Sequence, residues 1–298
     1  MRVLILGGSG MLGHQLCRVL SRRMETWATF RQNPADYEKY KLISQDHALG
    51  GVVVENLASV QRALETAKPD AVVNSIGIVK QRDDAKQAIP SIRVNALFPH
   101  QLADLCADYG TRLVQLSTDC VFSGLRGRYT EVDIPDPVDL YGRTKLLGEL
   151  NRASCLTLRT SIIGWQINAN TSLLGWFARQ RGQRIKGYRR AIYAGFSTRV
   201  LVELISDLLE TRPDLTGLYQ VASEPISKYD LLLNLRDKLG WSDIDIEPDE
   251  NFYCDRSLIS TRFKVATGWN APGWDEMLSG LAEEWPTYRD WLPTSNQG

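Results

Sequence analysis

The sequence predicts a doubly wound α/β fold, in which helices cover a parallel sheet and a smaller C-terminal lobe follows. Three observations predict it. Short apolar runs alternate with amphipathic stretches through residues 1–160, glycines follow the first apolar run, and the tail after residue 181, where the alternation is lost, holds five of the eight tryptophans. Short apolar runs between helical patterns are typical of buried parallel strands.

The elements follow in order from this alternation. Each predicted strand is a short apolar or β-branched run, and each predicted helix has apolar residues three or four apart. The predicted strands are residues 3–6, 26–30, 52–54, 71–74, 113–117 and 156–159, and the predicted helices are residues 12–20, 60–67, 95–109 and 141–152. Beyond them we expect a loop at 166–172 and a helix at 173–181.

The composition excludes several classes of protein. With 298 residues, 43% hydrophobic and 23% charged, the chain is neither disordered, collagen-like nor a coiled coil. Its 35 basic residues balance 35 acidic ones, so we expect no nucleic-acid or membrane partner. The five cysteines form no CxxC pair and the three histidines have no ligand-like spacing, which predicts reduced thiols, a cytoplasmic location and no His or Cys metal site.

The turn after the first strand contains Gly7, Gly10 and Gly13. Residues without a Cβ permit a tight turn and a close approach of the backbone to a pyrophosphate, and the following helix offers free amides and a positive dipole end. We therefore interpret the turn as a dinucleotide site rather than a purely structural turn. The residues expected to contact the cofactor there are Gly7, Ser9, Gly10, Met11 and Leu12.

The choice of cofactor depends on Arg31, directly after the second strand, where a site for NAD usually has an acidic residue. A guanidinium pairs with a phosphate through a bidentate fork, so Arg31 favours NADP(H), with NAD(H) as the alternative. A solvated surface arginine is the other interpretation. We also expect Ser75, Ile76 and Gly77, at the end of the fourth strand, to contact the ribose or nicotinamide.

Tyr141 and Lys145 are four residues apart in a predicted helix, so their side chains share one face. A free phenol, with a pKa of about 10, is a slow proton donor at neutral pH, and a nearby ammonium favours its ionised form. The strand that ends at Ser117 and Thr118 would present a hydroxyl to the substrate carbonyl that Tyr141 protonates. The pattern predicts proton transfer at a carbonyl group.

Together, the glycine turn, the run STDCVF at 117–122 and the run YGRTK at 141–145 resemble an extended short-chain dehydrogenase/reductase. More narrowly, they resemble the dTDP-4-dehydrorhamnose reductase family of nucleotide-sugar reductases. Residues 158–161, 217–222 and 256–258 resemble later segments of that family. The resemblance implies a Rossmann domain and an interleaved substrate-binding lobe, which we divide as residues 1–160 with 192–222, and residues 161–191 with 223–298.

The same resemblance implies roles for individual residues. Tyr141 would donate a proton to a keto oxygen, Thr118 would hydrogen-bond that oxygen, and Lys145 would tune Tyr141 and hold the nicotinamide ribose. The hydride would come from the cofactor. Asn95 would support Lys145 through a water molecule.

Two positions depart from the family pattern. Cys120 stands where an aromatic residue often follows the Thr-Asp pair, and we interpret it as packing. Val53 stands where the family usually has an aspartate for the adenine amino group, and Asn56 is the substitute we expect.

A run without acids contains Arg179, Arg181, Arg184, Lys186, Arg189 and Arg190. A nucleotide sugar carries a diphosphate, which such a run would hold by charge-assisted hydrogen bonds, although a solvated basic surface is the alternative. The predicted substrate contacts are Thr118, Asp119, Trp165, Lys186, Arg190 and Arg256. Arg256 is assigned to the diphosphate by the family resemblance, with a structural salt bridge as the alternative.

These residues predict an NADPH-dependent reductase of the C4 ketone of a nucleotide-linked 4-keto-6-deoxy sugar, and the resemblance implies a place in surface polysaccharide biosynthesis. One alternative is an epimerase or dehydratase of the same fold, which would recycle its cofactor. Another is a non-catalytic NADP-binding regulatory subunit, because the methionine adenosyltransferase regulatory subunit resembles the chain in the same motifs. The identity of the nucleotide and of the sugar stays open, and so does the question whether the protein forms a homodimer.

Overall fold

A computed structural model describes residues 1–80, 86–167 and 172–291. The elements of the first half are β1 (Arg2–Leu6), α1 (Met11–Leu20), β2 (Glu25–Thr29), β3 (Ala48–Leu49), α2 (Leu57–Ala67), β4 (Ala71–Asn74), α3 (Ala88–Ser91), a π-helical turn (Ile92–Leu97), α4 (Phe98–Asp108), β5 (Arg112–Thr118), α5 (Leu140–Leu147) and β6 (Cys155–Thr160). Those of the second half are β7 (Ile162–Ile163), α6 (Leu173–Ala178), β8 (Arg184–Tyr188), β9 (Ala191–Tyr193), β10 (Phe196–Ser197), α7 (Thr198–Thr211), β11 (Gly217–Gln220), β12 (Ile226–Ser227), α8 (Lys228–Leu239), β13 (Asp245–Asp249), β14 (Cys254–Asp255), α9 (Thr261–Thr267) and α10 (Trp274–Trp291).

The central sheet has seven strands in the order β11-β6-β5-β4-β1-β2-β3. All of its neighbouring strands are parallel. The chain order reverses between β1 and β4, and a ligand crevice usually opens at the carboxyl ends of strands at such a point. The predicted doubly wound α/β fold is confirmed.

Alternate side chains of β1 enter two different cores, one on each face of the sheet. Val3 and Ile5 join the core that includes residues of α1 and α7, whereas Leu4 and Leu6 join the core that includes residues of α2 and α4. All four side chains are fully buried. Burying such a side chain contributes about 1.5–3 kcal/mol, so the sheet gains stability from helices on both faces.

The third strand is not where the sequence predicted it. It is β3, and it begins four residues before the predicted run that starts at Val52. Val52 and Val54 are buried outside any strand, at 8% and 6% exposure, within the α2 side of the core. These valines are apolar because they pack in this core. The sequence pattern therefore led to a wrong prediction of a strand.

The helix predicted at 141–152 is also too long, because α5 ends at Leu147. Gly148 follows, and a Cβ on this residue would lie 2.0 Å from the carbonyl oxygen of Asn95. The chain therefore turns where it packs closely against the π-helical turn. The helix predicted at 173–181 ends at Ala178, and the loop predicted at 166–172 lies partly outside the described residues.

The second half of the chain adds small sheets and further helices to the central sheet. Strand β8 pairs with β13, β9 lies between β12 and β14, and α8 packs against β8. Helix α10 packs on α8 and is hydrogen-bonded to α1, so the division into two interleaved domains stays a prediction. Within the described ranges, no helix is long and apolar enough to cross a bilayer.

A buried histidine joins α1 to α10. The Nδ1 atom of His14 lies 2.7 Å from the carbonyl oxygen of Gly10, and its Nε2 atom is hydrogen-bonded to the Tyr288 hydroxyl. Gln15 donates to the same hydroxyl at 2.9 Å. Burial lowers the pKa of His14 to about 4, so the imidazole is neutral in the folded protein at neutral pH.

We predict that His14→Gln makes stability less dependent on pH between about 4 and 6.5. Because the pKa of His14 is about 4 in the folded protein against an ordinary value of 6.5, the unfolded chain binds this proton first as the pH falls. The wild-type protein should therefore lose about 1.4 kcal/mol per pH unit more than the variant over this range. Urea unfolding at several pH values measures the difference, and equal slopes would contradict the assignment.

Candidate functional site

The glycine turn lies between the ends of β1 and β2. Gly7 has a φ of +86°, and its N–H donates to Thr29 Oγ1 at 3.1 Å. A Cβ on Gly13 would lie 2.0 Å from the Gly7 carbonyl oxygen, so the start of α1 lies directly against the turn. Gly10 is the N-cap residue of α1 and has no side chain that could occupy the first free amides.

The turn therefore fits a pyrophosphate. The backbone N–H of His14 bonds to the Gly10 carbonyl, which leaves the amides of residues 11–13 without intrahelical acceptors. These amides and the positive end of the helix favour an anion. Ser75 supports the start of the turn, because its hydroxyl donates to the Leu6 carbonyl at 2.6 Å.

The remaining predicted cofactor residues lie around this turn, and their roles stay predictions. Arg31 is exposed directly beyond β2, and Asn56 is exposed before α2, with no capping hydrogen bond from its side chain. Ile76 N donates to Asn74 Oδ1 at 3.1 Å. Among the described residues, the nearest neighbour of a Cβ on Gly77 would be Asn95 Oδ1 at 3.5 Å.

Asn95 lies in the π-helical turn and is buried. Its Oδ1 accepts from Ile78 N at 2.9 Å, while its Nδ2 donates to the Ile78 carbonyl at 2.9 Å and to Thr144 Oγ1 at 3.3 Å. The side chain thus joins the segment after β4 to α5. Support of Lys145 through a water molecule stays a prediction.

Helix α5 begins at a strong cap and lies close to the loop after β5. Asp139 accepts from Gly142 N at 2.8 Å, which satisfies a free amide of the first turn, and such caps are worth about 1 kcal/mol. A Cβ on Gly142 would lie 2.2 Å from the Cys120 carbonyl oxygen. Only glycine allows this separation, and α5 therefore lies against the end of β5.

The predicted catalytic side chains meet at this contact. The side chain of Thr118 lies close enough to the hydroxyl of Tyr141 to lower its pKa. Lys145 Nζ donates to the Leu116 carbonyl at 2.6 Å. A phenol, a hydroxyl and an ammonium are thus placed at the carboxyl end of β5, two strands from the glycine turn.

Burial changes the acidity of both α5 groups. It raises the pKa of Tyr141 well above its ordinary range, Cys120 adds to the effect, and the side chain of Thr118 opposes it. Burial lowers the pKa of Lys145 to about 8, against the attraction of Glu149. At neutral pH the phenol keeps its proton and most of the lysine is charged.

Asp119 and Arg256 lie beside this pair. Burial raises the pKa of Asp119, while Arg256 and the Thr118 hydrogen bond lower it. Arg256 Nε donates to the Phe122 carbonyl at 2.9 Å, and its Nη1 lies 3.7 Å from Cys120 Sγ. Cys120 lines this site, and burial raises the pKa of its thiol to about 12, so it is not a nucleophile at neutral pH.

Two residues that the sequence analysis missed also act on this region. Lys228, the first residue of α8, lowers the pKa of Asp119, and the half-buried Tyr193 of β9 lies within electrostatic range of Asp119 and Cys120. Both come from the C-terminal lobe. No local motif marks them, because β12 and β9 bring them to the site only when they pair.

The structure corrects the prediction for Trp165. Its side chain is 2% exposed, and its indole N–H donates to the Leu281 carbonyl at 2.8 Å. The ring packs against Trp285 at a centroid distance of 4.7 Å. Trp165 is a core residue and has no free face for a sugar or base.

The surroundings of the basic run also differ from the prediction, because acidic residues of a neighbouring segment lie beside it. Strand β13 pairs with β8 in parallel, so its alternate carboxylates lie beside the basic side chains. The ion pairs are Arg181–Asp243, Arg184–Asp245, Lys186–Asp249 and Arg189–Glu250. Lys186 is thereby neutralised, which argues against its role on a diphosphate. Alternating acids at 243–249 were the sequence signal for this pairing.

Arg190 differs from its neighbours. Its guanidinium lies 5.0 Å from the centre of the Tyr253 ring and is exposed. Its contact with substrate stays a prediction. Among the described residues, no group of three His, Cys, Asp or Glu side chains has the arrangement of a metal site.

Comparison with known proteins places this geometry in a family. The family model described as RmlD substrate binding domain matches residues 1–249. The dTDP-4-dehydrorhamnose reductase of Aggregatibacter actinomycetemcomitans is 24% identical over 258 residues, which cover 80% of this chain and 79% of that protein. Methionine adenosyltransferase 2 subunit beta of Mus musculus is 30% identical over 154 residues, which cover 50% of this chain and 41% of that protein.

A solved structure shares the fold over nearly the whole chain. The dTDP-4-dehydrorhamnose reductase of Bacillus anthracis, in complex with NADP, superposes with a TM-score of 0.79 at 21% identity. The match covers 95% of this chain and 99% of that one. This likeness shows that the arrangement of elements is the same.

We predict that Gly142→Ala destabilises the protein and moves α5 away from β5. Alanine gains about 1 kcal/mol of helix propensity, but its Cβ would lie 2.2 Å from a backbone oxygen, and overpacking of this kind costs about 1–3 kcal/mol or more. Thermal unfolding should show a lower Tm. Gly273→Ala is the control, because no atom lies within 4 Å of its Cβ, and an equal Tm change in both variants would contradict the close contact.

Proposed function

The chain belongs to the RmlD substrate binding domain family, and on this premise we propose that it is an NADPH-dependent reductase of the C4 ketone of a nucleotide-linked 4-keto-6-deoxy sugar. The observation that carries the proposal is the contact of α5 with β5, where Tyr141, Thr118 and Lys145 converge. The named reductases of similar sequence and similar fold support the same reaction class.

The residues of the glycine turn would hold the cofactor. The free amides of α1 suit the pyrophosphate, and Arg31, exposed beyond β2, suits a 2′-phosphate. The related structure with bound NADP supports a nicotinamide cofactor, and the preference for NADP over NAD rests on Arg31. When bound, NADPH would supply a hydride to the keto carbon.

The chain's own residues would handle the proton. Tyr141 keeps its proton at neutral pH because it is buried, so it is ready to donate to the keto oxygen as negative charge develops there. Thr118, which lies beside the phenol, would contact the same oxygen. Lys145 has donors beyond its bond to Leu116, and these would hold the nicotinamide ribose and stabilise the phenolate that remains.

The substrate would enter between the sheet and the C-terminal lobe. Arg256 and Lys228 bring positive charge to the neighbourhood of Asp119, which suits the diphosphate of a nucleotide sugar. This charge comes from two different segments, beyond β14 and at the start of α8.

The direct experiment follows NADPH absorbance with a panel of nucleotide 4-keto-6-deoxy sugars, each generated in place by its own dehydratase. Stoichiometric loss of NADPH supports the proposal. Turnover of a nucleotide sugar without net loss of NADPH would instead identify an epimerase or dehydratase. Co-purification with an unrelated enzyme, with no reductase activity across the panel, would favour the regulatory role suggested by the similarity to methionine adenosyltransferase 2 subunit beta.

We predict that Tyr141→Phe lowers kcat by about 10²-fold to 10⁴-fold, because it removes the general acid. NADPH binding, measured by fluorescence titration, should stay within a few-fold of the wild type. Tyr109→Phe is the control, since Tyr109 is exposed and bonds Glu65 on the surface. Full turnover in Tyr141→Phe would refute the assignment.

We also predict that kcat/KM falls above about pH 8. The pKa of Lys145 is about 8, so the side chain is charged below this pH and loses its charge above it. Lys145→Arg should keep the charge and move the fall to higher pH, at reduced overall activity. A fall that stays near pH 8 in this variant would assign the limb to another group.

A further inference from the structure

Three side chains spaced four residues apart contact three consecutive residues of β5. Tyr141 lies beside Thr118, Lys145 donates to the Leu116 carbonyl, and Glu149 accepts from the Ser117 hydroxyl at 2.6 Å. Tyr141 and Lys145 have roles in the proposed reaction. Glu149 makes the third contact and lies away from the reacting groups.

The Glu149 carboxylate is held in place by a second strand. Arg159 of β6 donates to Oε1 from Nε at 2.7 Å and to Oε2 from Nη2 at 2.7 Å. Ser117 and Arg159 are partners in the register of β5 and β6. The carboxylate therefore joins the chain just beyond α5 to two neighbouring strands, through a bidentate pair and one hydroxyl.

This ion pair is deeply buried, with side-chain exposures of 6% for Arg159 and 8% for Glu149. Arg159 has a buried Nη1 atom without a hydrogen-bond partner among the described residues. Gln220 on β11 is the register partner of Arg159. Both polar atoms of its side-chain amide are also buried without a hydrogen-bond partner among the described residues. Buried ion pairs add little net stability compared with apolar packing, so fold stability alone is a weak reason for this arrangement.

The charge balance gives a better reason. Lys145 and Arg159 are two buried cations, and Glu149 is the carboxylate that attracts both. Further titratable groups lie on the elements packed around Lys145: Tyr141 on α5, Asp119 and Cys120 beyond β5, and the exposed Arg93 on the π-helical turn. Without Glu149, Arg159 would lose its bidentate partner and Lys145 would lose the carboxylate that raises its pKa.

We propose that Glu149, fixed by Arg159 and Ser117, is a positioning residue that keeps Lys145 charged and bonded to the end of β5. Arg159 limits this attraction because it shares the carboxylate. The pair thus sets the pH range over which Lys145 carries its charge. The catalytic consequence rests on the proposed function, whereas the electrostatic effect on Lys145 does not.

The test measures the pKa of Lys145 by NMR of protein labelled at lysine Cε, with Lys145→Arg to assign the signal. Glu149→Gln should lower this pKa by about one unit or more. Arg159→Met should raise it, because the carboxylate then acts on Lys145 without a competing partner. Shifts of opposite sign support the proposal, and shifts of the same sign, or none, overturn it.

A second variant keeps the test valid if Glu149→Gln does not fold because Arg159 is left unpaired. Glu149→Gln/Arg159→Met removes both charges, and its Lys145 pKa should lie about one unit or more below that of Arg159→Met. An unchanged pKa between these two variants overturns the proposal. Asp243→Asn, which breaks the exposed pair with Arg181, is the control and should leave the Lys145 signal in place.

The lysine titration needs neither cofactor nor substrate, so it separates the two proposals. If the pKa shifts as expected and no keto sugar consumes NADPH, the role of Glu149 stands and the proposed function fails. If NADPH is consumed and the pKa does not shift, the role of Glu149 fails alone. If both stand, Glu149→Gln should move the alkaline fall of kcat/KM down by the same shift and affect the KM for NADPH more than kcat.

Discussion

The site depends on how closely α5 approaches the end of β5. Gly142 lies where a Cβ would overlap the carbonyl oxygen of Cys120, so α5 and the end of β5 meet with almost no side chain between them. Gly148 likewise lets the chain beyond α5 pack against Asn95 of the π-helical turn. The cap at Asp139 fixes where the helix begins. Within this contact, Tyr141 lies beside Thr118 at the end of β5, and Lys145 donates to the Leu116 carbonyl of the same strand.

The same contact determines the acidity of the site. Exclusion of water keeps the proton on Tyr141 and weakens the hold of Lys145 on its own proton. The carboxylate of Glu149 restores the charge on the lysine. A protonated phenol beside an ammonium is the combination that donation to a developing oxyanion requires. The geometry and the charge state thus have one physical origin.

The sequence predicted the fold class and this pair of elements, because strand periodicity, the glycine turn and the four-residue spacing are local patterns. It did not predict what depends on pairing between distant segments. The acids of β13 beside the basic residues of β8, and the approach of Lys228 and Tyr193 to Asp119, appear only when strands over 30 residues apart come together. Trp165 was misassigned for a related reason, since its surroundings come from α10.

The central claim is that one helix–strand contact places a phenol, a hydroxyl and an ammonium around a single carbonyl. A crystal structure with NADP⁺ and a nucleotide 4-keto-6-deoxy sugar, or its reduced product, tests this most directly. The account predicts that Tyr141 Oη and Thr118 Oγ1 both lie within hydrogen-bond distance of the C4 oxygen, with Lys145 Nζ on the nicotinamide ribose. A sugar bound with its C4 oxygen away from Tyr141, or a Lys145 that contacts neither cofactor nor phenol, would contradict it.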